Sequence, residues 1–278
     1  MPQLQLSQGT IHYTDTGSGP VVVLVHGLLV DGTLWAEPAS LLAKDFRVVV
    51  PDLPLGSHTE AMQPDADLSP AGLARLVADF LDALDLTGVT LVGNDTGGAI
   101  CQLVAADHPE RLARLVLTNC DAYNNFLPPA FRPLQLLPRI PGAMWLASRS
   151  LRTRLARRAV GLLATTPVPR SVYDGWAAPF RRDRGVRRDV GKVLRGITTR
   201  ETMRAAVALR SFDRPVLLAW GVKDPFFRPR YARRLAGDIP DSRLEWIDGS
   251  KTFVPLDAPE RLADLIADFV HSTEAPVR

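Results

Sequence analysis

The stretch Val89-Thr90-Leu91-Val92-Gly93-Asn94-Asp95-Thr96-Gly97-Gly98-Ala99-Ile100 decides the fold of this chain. An apolar run of strand type ends in a Gly-x-Asp-x-Gly pattern, and a helical pattern follows at once. This order predicts a strand, a sharp turn and a helix, which is the arrangement that holds a nucleophile at the tip of a sheet. Serine is the usual residue at the tip, whereas this chain has the carboxylate of Asp95 there.

The sequence on both sides of this stretch predicts a mainly parallel sheet. Apolar runs of strand type alternate with helical patterns, and this alternation places helices on both faces of a parallel sheet. Two short strands near the N-terminus form a predicted hairpin. The further predicted strands are residues 21–25, 46–50, 89–95, 112–118, 215–220 and 244–247. We therefore predict an α/β fold with an eight-stranded, mainly parallel sheet.

A helical segment interrupts the alternation of strands and helices. Residues 124–210 have helical patterns broken by several prolines, and the strand pattern resumes after them. We predict that residues 1–123 and 211–278 form the core domain and that residues 124–210 form a helical cap. An insertion between these strands overhangs their carboxyl ends, where open α/β sheets bind ligands.

The predicted cap differs sharply from the core in charge. Residues 124–210 contain 18 Lys+Arg and 4 Asp+Glu, a net charge of +14; the whole chain carries +3, so the remainder carries −11. One interpretation is a solvated basic surface. The other is attraction of an anionic ligand, an acidic partner or a membrane surface.

Composition excludes several classes of protein. Hydrophobic residues make up 46% of the chain and charged residues 23%, as in ordinary globular proteins. No apolar run approaches the roughly 20 residues that span a bilayer, and the first residues lack the pattern of a secretory signal. We therefore expect a cytoplasmic protein, with residues 273–278 as a frayed tail.

Few partners are indicated by the sequence. The two cysteines, Cys101 and Cys120, lack the spacing of metal ligands and are predicted to be small buried side chains. We predict no cofactor and no metal. No nucleic-acid-binding motif is present. A small-molecule substrate is expected, and the sequence leaves a homodimer open.

Three short stretches carry a resemblance to a known family. They are Val25-His26-Gly27, the stretch Gly93-Asn94-Asp95-Thr96-Gly97-Gly98, and Trp220-Gly221-Val222-Lys223-Asp224-Pro225, each at the end of a predicted strand. In this order they resemble the α/β-hydrolase fold with a helical cap. Aspartate at the nucleophile position resembles the epoxide hydrolases and haloalkane dehalogenases. That resemblance implies attack on an electrophilic carbon and an ester intermediate that water cleaves.

The resemblance also implies roles for the neighbouring residues. The backbone N–H groups of Leu28 and Thr96 stand where the family forms its oxyanion hole. Asp224 stands where the family places the acid that orients a histidine, and Asp121 is an alternative position for that acid. His26 is expected to hold its loop in place rather than to carry protons.

The histidine of the family is missing. The stretch 249–257 keeps the register of the family's Gly-x-x-His-Phe pattern, but Thr252 stands at the histidine position. Threonine cannot act as a general base near neutral pH. His58 follows a predicted strand and opens toward the same sheet edge as Asp95, so we consider it as a relocated proton carrier; the alternative is an ordinary polar loop residue. Lys251 is a further candidate base.

The predicted substrate is small and mostly apolar. Dehalogenase-like proteins commonly have tryptophan directly after the aspartate, and relatives that act on fluoroacetate have arginine there, whereas this chain has Thr96. Epoxide-opening relatives protonate the oxygen with cap tyrosines, a part that Tyr173 could take. Aromatic residues that could line an apolar pocket are Trp35, Trp145, Trp176 and Phe180. The candidate substrate-binding residues are His26, Trp35, Asn94, Asp121, Tyr173 and Trp176.

Three functions follow from these features. The first is a hydrolase for an epoxide, ester or lactone, with Asp95 ionised by the nearby helix N-terminus and with non-standard proton handling. The second is a non-hydrolytic ligand-binding protein, or a lyase or isomerase, in which Asp95 anchors the ligand, moves a proton or merely caps the helix. The third is a scaffold whose basic cap recruits an acidic partner.

Overall fold

The computed structural model describes residues 1–273; residues 274–278 of the predicted tail lie outside the described residues. It confirms the predicted α/β fold. One eight-stranded sheet has the order β1-β2-β4-β3-β5-β6-β7-β8. The pairs β1–β2 and β2–β4 are antiparallel and all other pairs are parallel. The strands are β1 Gln3–Leu6, β2 Gly9–Thr16, β3 Val21–Val25, β4 Arg47–Pro51, β5 Val89–Asp95, β6 Leu112–Cys120, β7 Val216–Gly221 and β8 Ser242–Ile247.

Helices follow the strands as the alternation predicts. Those of the sheet domain are α1 Ala36–Leu42, α2 Pro70–Ala83, α3 Thr96–Asp107, α9 Pro229–Asp238, α10 Val254–Asp257 and α11 Pro259–Ser272. Between β6 and β7 lie α4 Ala143–Ser150, α5 Arg154–Val160, α6 Arg170–Arg182, α7 Arg184–Gly196 and α8 Thr199–Ala208. Short 3-10 turns occur at Gly32–Trp35, Pro109–Arg111, Arg132–Arg139 and Leu209–Ser211.

The central strands are apolar throughout because both of their faces are buried. In β3, Val23 and Val25 pack into the core that contains α2 and α3, whereas Val22 and Leu24 pack into the core that contains α1 and α11. Burying each such side chain contributes about 2 kcal/mol. The sheet is therefore a rigid platform, and the loops at its carboxyl edge are held in fixed positions.

The start of α2 shows how local sequence sets an element. The Ser69 hydroxyl accepts a hydrogen bond from the Gly72 N–H at 3.1 Å, and Pro70 occupies the first helical position. Proline has no N–H to leave unpaired there and its φ angle already suits a helix. The capping serine and the proline together therefore set the start of α2.

Strand β6 runs two residues beyond the predicted end, to Cys120. The last residues of this strand include the polar residues Thr118 and Asn119. Both side chains are fully buried and hydrogen-bonded inside the protein. The extra residues therefore carry the strand into the site described below. Among residues 1–273, no helix is long and apolar enough to cross a membrane.

Candidate active site

Asp95 makes the sharp turn between β5 and α3 itself. Its backbone adopts φ 54° and ψ −130°, a conformation that residues other than glycine rarely adopt. Gly93 and Gly97 flank this turn with ordinary φ angles, and a Cβ on Gly93 would overlap the Gly98 backbone and the Cys101 side chain. Gly97 is needed for space, because a Cβ there would overlap the backbone oxygens of Val25 and His26.

The loop after β3 passes directly against the Asp95 carboxylate. A Cβ on Gly27 would overlap that carboxylate, so only glycine allows the approach. The Leu28 N–H donates to Asp95 Oδ2 at 3.1 Å. The structure thus brings together Leu28, Asp95 and Thr96, as the sequence led us to expect.

The ionisation of Asp95 differs from the expectation. Burial raises the pKa of this carboxyl to about 7, against the stabilising backbone N–H groups of Thr96 and Leu28; the charge of Asp224 raises it further. The helix N-terminus was expected to keep Asp95 ionised, but the loss of water outweighs the N–H groups. Asp95 therefore changes its protonation state near neutral pH. Its side chain makes no N-capping hydrogen bond to α3.

Asp95 faces an apolar cavity of about 270 Å³. The cavity lies between the carboxyl edge of the sheet and residues of the segment that joins β6 to β7. Its wall consists of Leu28, Leu29, Val30, Asp95, Thr96, Leu127, Pro128, Phe131, Leu134, Leu151, Ala156, Ala159, Val160, Leu163, Tyr173, Trp176, Ala177 and Phe253. Asp95 is the only carboxylate in this wall, and the wall contains no histidine, lysine or arginine.

The other polar side chains of the wall already have partners. The Tyr173 hydroxyl donates to the Leu151 carbonyl at 2.7 Å. The Trp176 indole N–H contacts Asp31 Oδ1 at 3.0 Å and Thr33 Oγ1 at 2.8 Å. Of the candidate substrate-binding residues, Tyr173 and Trp176 line the cavity. Trp35, Asn94, Asp121 and His26 do not.

Asp224 and Thr252 form a closed pair beside the cavity. The Thr252 hydroxyl donates to Asp224 Oδ2 at 2.8 Å, and Asn119 Nδ2 donates to the same oxygen at 2.9 Å. Asp224 Oδ1 accepts from the Phe226 and Phe227 N–H groups at 2.7 and 3.0 Å. Burial raises the pKa of Asp224 despite these four donors. Neither Asp224 nor Thr252 lines the cavity.

Polar residues at the strand ends hold this pair in place. Asn94 Nδ2 donates to Thr118 Oγ1 and to the Thr252 carbonyl, both at 2.7 Å. Asn119 Oδ1 accepts from the Gly221 N–H at 2.6 Å, and this links β6 to β7. Asn94 is therefore a framework residue. The sequence analysis missed Thr118 and Asn119, although two polar residues that end an apolar strand were the available signal.

Asp121 lies behind the turn at Asp95 and not in the cavity wall. Its carboxylate contacts the Thr96 hydroxyl at 3.3 Å. Burial, and the nearby charge of Asp95, raise its pKa well above the usual range. The structure places Asp121 against α3, where Gln102 Nε2 donates to the Asp121 carbonyl at 2.8 Å.

The structure does not bring His58 to Asp95. His58 is buried under α7, where its Nε2 lies 3.4 Å from Asp189 Oδ2 and its Nδ1 accepts from the Gly56 N–H at 3.2 Å. The strand-end loop that carries it turns toward the segment between β6 and β7, which sequence alone could not show. Lys251 Nζ donates to the Ala164 carbonyl at 3.2 Å and also lies outside the cavity wall.

His26 holds the loop after β3, in agreement with its expected role. Its Nδ1 lies 2.9 Å from the Gly27 carbonyl, and its Nε2 accepts from the Leu53 N–H at 2.9 Å. Burial lowers the pKa of His26. A neutral imidazole with both nitrogens engaged has no free position for a substrate proton.

Comparison with known proteins agrees with this fold. A family model for the alpha/beta hydrolase fold matches residues 20–259, and the chain belongs to this family. An uncharacterized protein of Mycobacterium tuberculosis is 31% identical, with 93% of this chain and 77% of that protein covered. Haloalkane dehalogenase 2 of the same organism is 28% identical, with 94% and 92% covered.

Two further relatives extend the comparison. A cis-3-alkyl-4-alkyloxetan-2-one decarboxylase of Xanthomonas campestris is 29% identical, with 93% of this chain and 91% of that enzyme covered. The crystal structure of an ancestral haloalkane dehalogenase superimposes with a TM-score of 0.82 at 22% identity, covering 98% of this chain and 99% of that chain. The structural match shows the shared fold, and membership of the family supports a hydrolase.

Proposed function

We propose that this protein is a hydrolase that uses Asp95 as a nucleophile on a small, mostly apolar electrophile such as an epoxide, ester or lactone. One observation carries the proposal. The Asp95 carboxylate is fixed through Oδ2 by the Leu28 N–H and is the only carboxylate that faces the apolar cavity. A carboxylate held in this way is oriented toward whatever the cavity binds.

The attack can be followed atom by atom. Asp95 Oδ1 forms a bond to an electrophilic carbon, and the bond from that carbon to the ring oxygen of an epoxide or lactone breaks with its electron pair on the oxygen. Oδ2 then becomes the carbonyl oxygen of the new ester. The Leu28 and Thr96 N–H groups stabilise the negative charge that forms on Oδ2 if water later attacks this ester, by about 3 kcal/mol for each well-placed donor.

The second half of the reaction lacks its usual base. Water must attack the carbonyl carbon of the ester, which is Cγ of Asp95. An imidazole that accepts the proton of this water commonly accelerates such a step by about 10²–10⁴-fold. The resemblance to the family puts Thr252 at the imidazole position, and its hydroxyl donates a hydrogen bond to Asp224. We therefore propose that the ester on Asp95 forms faster than it is cleaved, and that its cleavage relies on unassisted water.

The relatives support the substrate class. A haloalkane dehalogenase acts on an apolar compound with an electrophilic carbon. The oxetan-2-one named for the decarboxylase is a strained four-membered lactone. A wall with a free carboxylate and no free acid favours substrates whose leaving oxygen is stable as an anion. A lactone opened at its alkyl carbon releases a carboxylate and meets this condition better than an epoxide does.

Intact-mass spectrometry after incubation with small epoxides, lactones and esters tests the proposal. Ring opening loses no atoms, so an epoxide or lactone should add its whole mass to the protein. Peptide mapping should locate this mass on Asp95. The Asp95→Asn protein should gain nothing. Absence of both adduct and turnover across the panel would count against Asp95 as the nucleophile.

The pKa of Asp95 favours one second candidate, which is a ligand-binding protein or a lyase or isomerase. A carboxyl with a pKa of about 7 can donate or accept a proton near neutral pH. In this case Asp95 hydrogen-bonds the ligand and forms no covalent bond. Ligand binding that survives Asp95→Asn, with no adduct on either protein, would favour this candidate.

A further inference from the structure

The outer surface of the segment between β6 and β7 is strongly basic. Residues 132–163 contain no Asp or Glu and seven arginines, which are Arg132, Arg139, Arg149, Arg152, Arg154, Arg157 and Arg158. Within residues 1–273, no salt bridge neutralises any of these seven side chains. We call residues 132–163 the basic face. Its positive charge is therefore available to an anionic partner.

The basic face is also unusually apolar for an exposed surface. Nine large hydrophobic side chains are exposed among residues 1–273, and six of them lie here, with exposed fractions of 53–77%. These six are Leu136, Ile140, Trp145, Leu146, Leu155 and Leu162. Exposed apolar residues concentrated in one segment mark an interaction site rather than ordinary scatter.

The helices of the basic face have two different sides. On α4, Trp145, Leu146 and Arg149 are exposed at helical spacing, and the Arg149 guanidinium lies 5.6 Å from the Trp145 ring centre. On α5, Leu155 is exposed, whereas Ala156 and Val160 line the cavity that holds Asp95. The same thin layer thus separates an apolar cavity from an apolar and basic exterior.

A groove of about 840 Å³ lies where the basic face meets α7. Arginines from both sides converge on it, beside an exposed indole and an isoleucine, and no carboxylate residue lines it. Guanidinium groups bind phosphate through paired hydrogen bonds. Within residues 1–273, Arg139, Arg184 and Arg195 of this groove form no salt bridge, whereas Arg188 pairs with Asp189 at 2.8 Å.

We propose that the basic face, with this groove, binds the surface of an anionic phospholipid bilayer. The exposed apolar side chains enter the interface and the arginines contact lipid phosphates. A second copy of the chain fits poorly, because a two-fold interface would place the same arginines against one another. Nucleic acid would leave Leu146 and Leu155 in water. The proposal does not depend on the role of Asp95.

Sedimentation with vesicles tests the proposal. The full chain should sediment with vesicles of phosphatidylcholine and phosphatidylglycerol, and should not sediment with phosphatidylcholine alone. Added salt should weaken the binding, since it screens the arginines. Tryptophan emission should shift to shorter wavelength on binding, and Trp145→Phe should lose most of this shift while keeping the binding.

Paired variants separate the two contributions. Arg139→Gln and Arg184→Gln should each weaken binding about fivefold, because one basic residue near an anionic surface contributes about that factor. Leu146→Ser with Leu155→Ser should reduce binding without changing its salt dependence. The matched controls are Arg75→Gln and Val207→Ser, which change an exposed arginine and an exposed valine away from the basic face. Neither should affect binding.

Several results would overturn the proposal. They are failure to sediment with any vesicle, equal binding to neutral vesicles, or equal loss in the control variants. A dimer in light scattering that Leu146→Ser and Leu155→Ser dissociate would assign the face to a second copy of the chain. Binding to an acidic peptide or to RNA with no binding to vesicles would also contradict it.

Discussion

Two aspartates of the site, Asp95 and Asp224, have opposite surroundings. Asp95 has one oxygen held by the Leu28 N–H and faces an apolar cavity. Asp224 receives four hydrogen bonds, one of them from Thr252, and faces no cavity. Asp95 is oriented toward the cavity, as the proposed attack requires, whereas Asp224 is held within the protein by its hydrogen bonds. In the proposed reaction Asp95 supplies the nucleophile, and the pair formed by Asp224 and Thr252 supplies no base that would activate water.

Thr252 can pair with Asp224 because its short side chain carries a hydroxyl that donates a hydrogen bond to the carboxylate. It replaces one hydrogen bond that an imidazole would give to Asp224, and its backbone carbonyl accepts from Asn94. Removal of one of the four donors from this buried carboxylate would cost about 1–3 kcal/mol. The Thr252 hydroxyl thus keeps Asp224 fully hydrogen-bonded without an imidazole.

Removal of the Asp95 carboxylate should have the largest effect. We expect Asp95→Asn to lower adduct formation by about 10⁴-fold or more, because an amide is a poor nucleophile and nothing else in the wall can replace it. Asparagine tolerates a positive φ, so the turn should survive. Intact-mass kinetics measures the effect. Asp107→Asn, at the other end of α3, is the control and should react like the natural chain.

An imidazole at position 252 should replace the hydroxyl that pairs with Asp224 and should provide a base for ester cleavage. We expect Thr252→His to accelerate cleavage of the ester on Asp95 by about 10²-fold, since Asp224 would orient the ring and the ring would accept a proton from water. Pulse labelling followed by loss of the adduct mass measures this rate.

Thr252→Val is the control for this experiment. Valine removes the hydroxyl without adding a base, so it should leave the adduct as stable as before. If Thr252→His folds, forms the adduct and cleaves it no faster, the missing imidazole is not what distinguishes the two aspartates.

The pH dependence of adduct formation should report the state of Asp95. Only the ionised carboxylate attacks, and its pKa is raised to about 7 by burial. The rate should therefore fall about tenfold for each pH unit below 7 and level off above pH 8. Stopped-time mass spectra across pH 5–9 give this profile. A rate that is constant down to pH 5 would show that Asp95 is ionised throughout and that burial does not control it.

The same pKa predicts how stability changes with pH. Since the folded pKa of Asp95 is raised above its unfolded value of about 3.9, its protonated form stabilises the fold fully below pH 4, and this contribution is lost as pH rises toward 7. Asparagine does not ionise, so the stability of Asp95→Asn does not contain this pH-dependent loss. The variant should gain stability relative to the natural chain by about 1 kcal/mol per pH unit in this window, as measured by urea unfolding. A pH-independent difference would contradict the raised pKa.

The contrast between the two aspartates could be predicted only in part. Local patterns predict strand β3 from its apolar run, the turn at Asp95 from its glycine-rich sequence, and the start of α2 from its capping serine. All three are short-range signals. The position of Asp95 and the absence of a histidine at Thr252 also follow from local sequence. The contact between Leu28 and Asp95 is long in sequence but was predictable, since parallel strands end at one edge of the sheet.

Other features of the site depend on contacts that no local pattern encodes. His58 lies at the expected sheet edge, yet its partner Asp189 is 131 residues away and draws it under α7. The raised pKa of Asp95 depends on how much water the surrounding chain excludes, which composition does not reveal. The role of Asn119 depends on the register of β6 against β7.

The smallest effect is expected for Tyr173→Phe, which tests whether the cavity holds an acid. The Tyr173 hydroxyl donates to the Leu151 carbonyl, so it has no second proton for the oxygen of an opening ring. We expect less than about a twofold change in adduct formation from an epoxide, and a loss of about 1 kcal/mol in stability from the missing hydrogen bond. A loss of about tenfold or more for an epoxide, with none for a lactone, would show that the hydroxyl leaves Leu151 during the reaction and protonates the ring oxygen. The cavity would then contain a proton donor for the ring oxygen. The closed pair at Asp224 would be needed neither for the attack of Asp95 nor for protonation of the leaving oxygen.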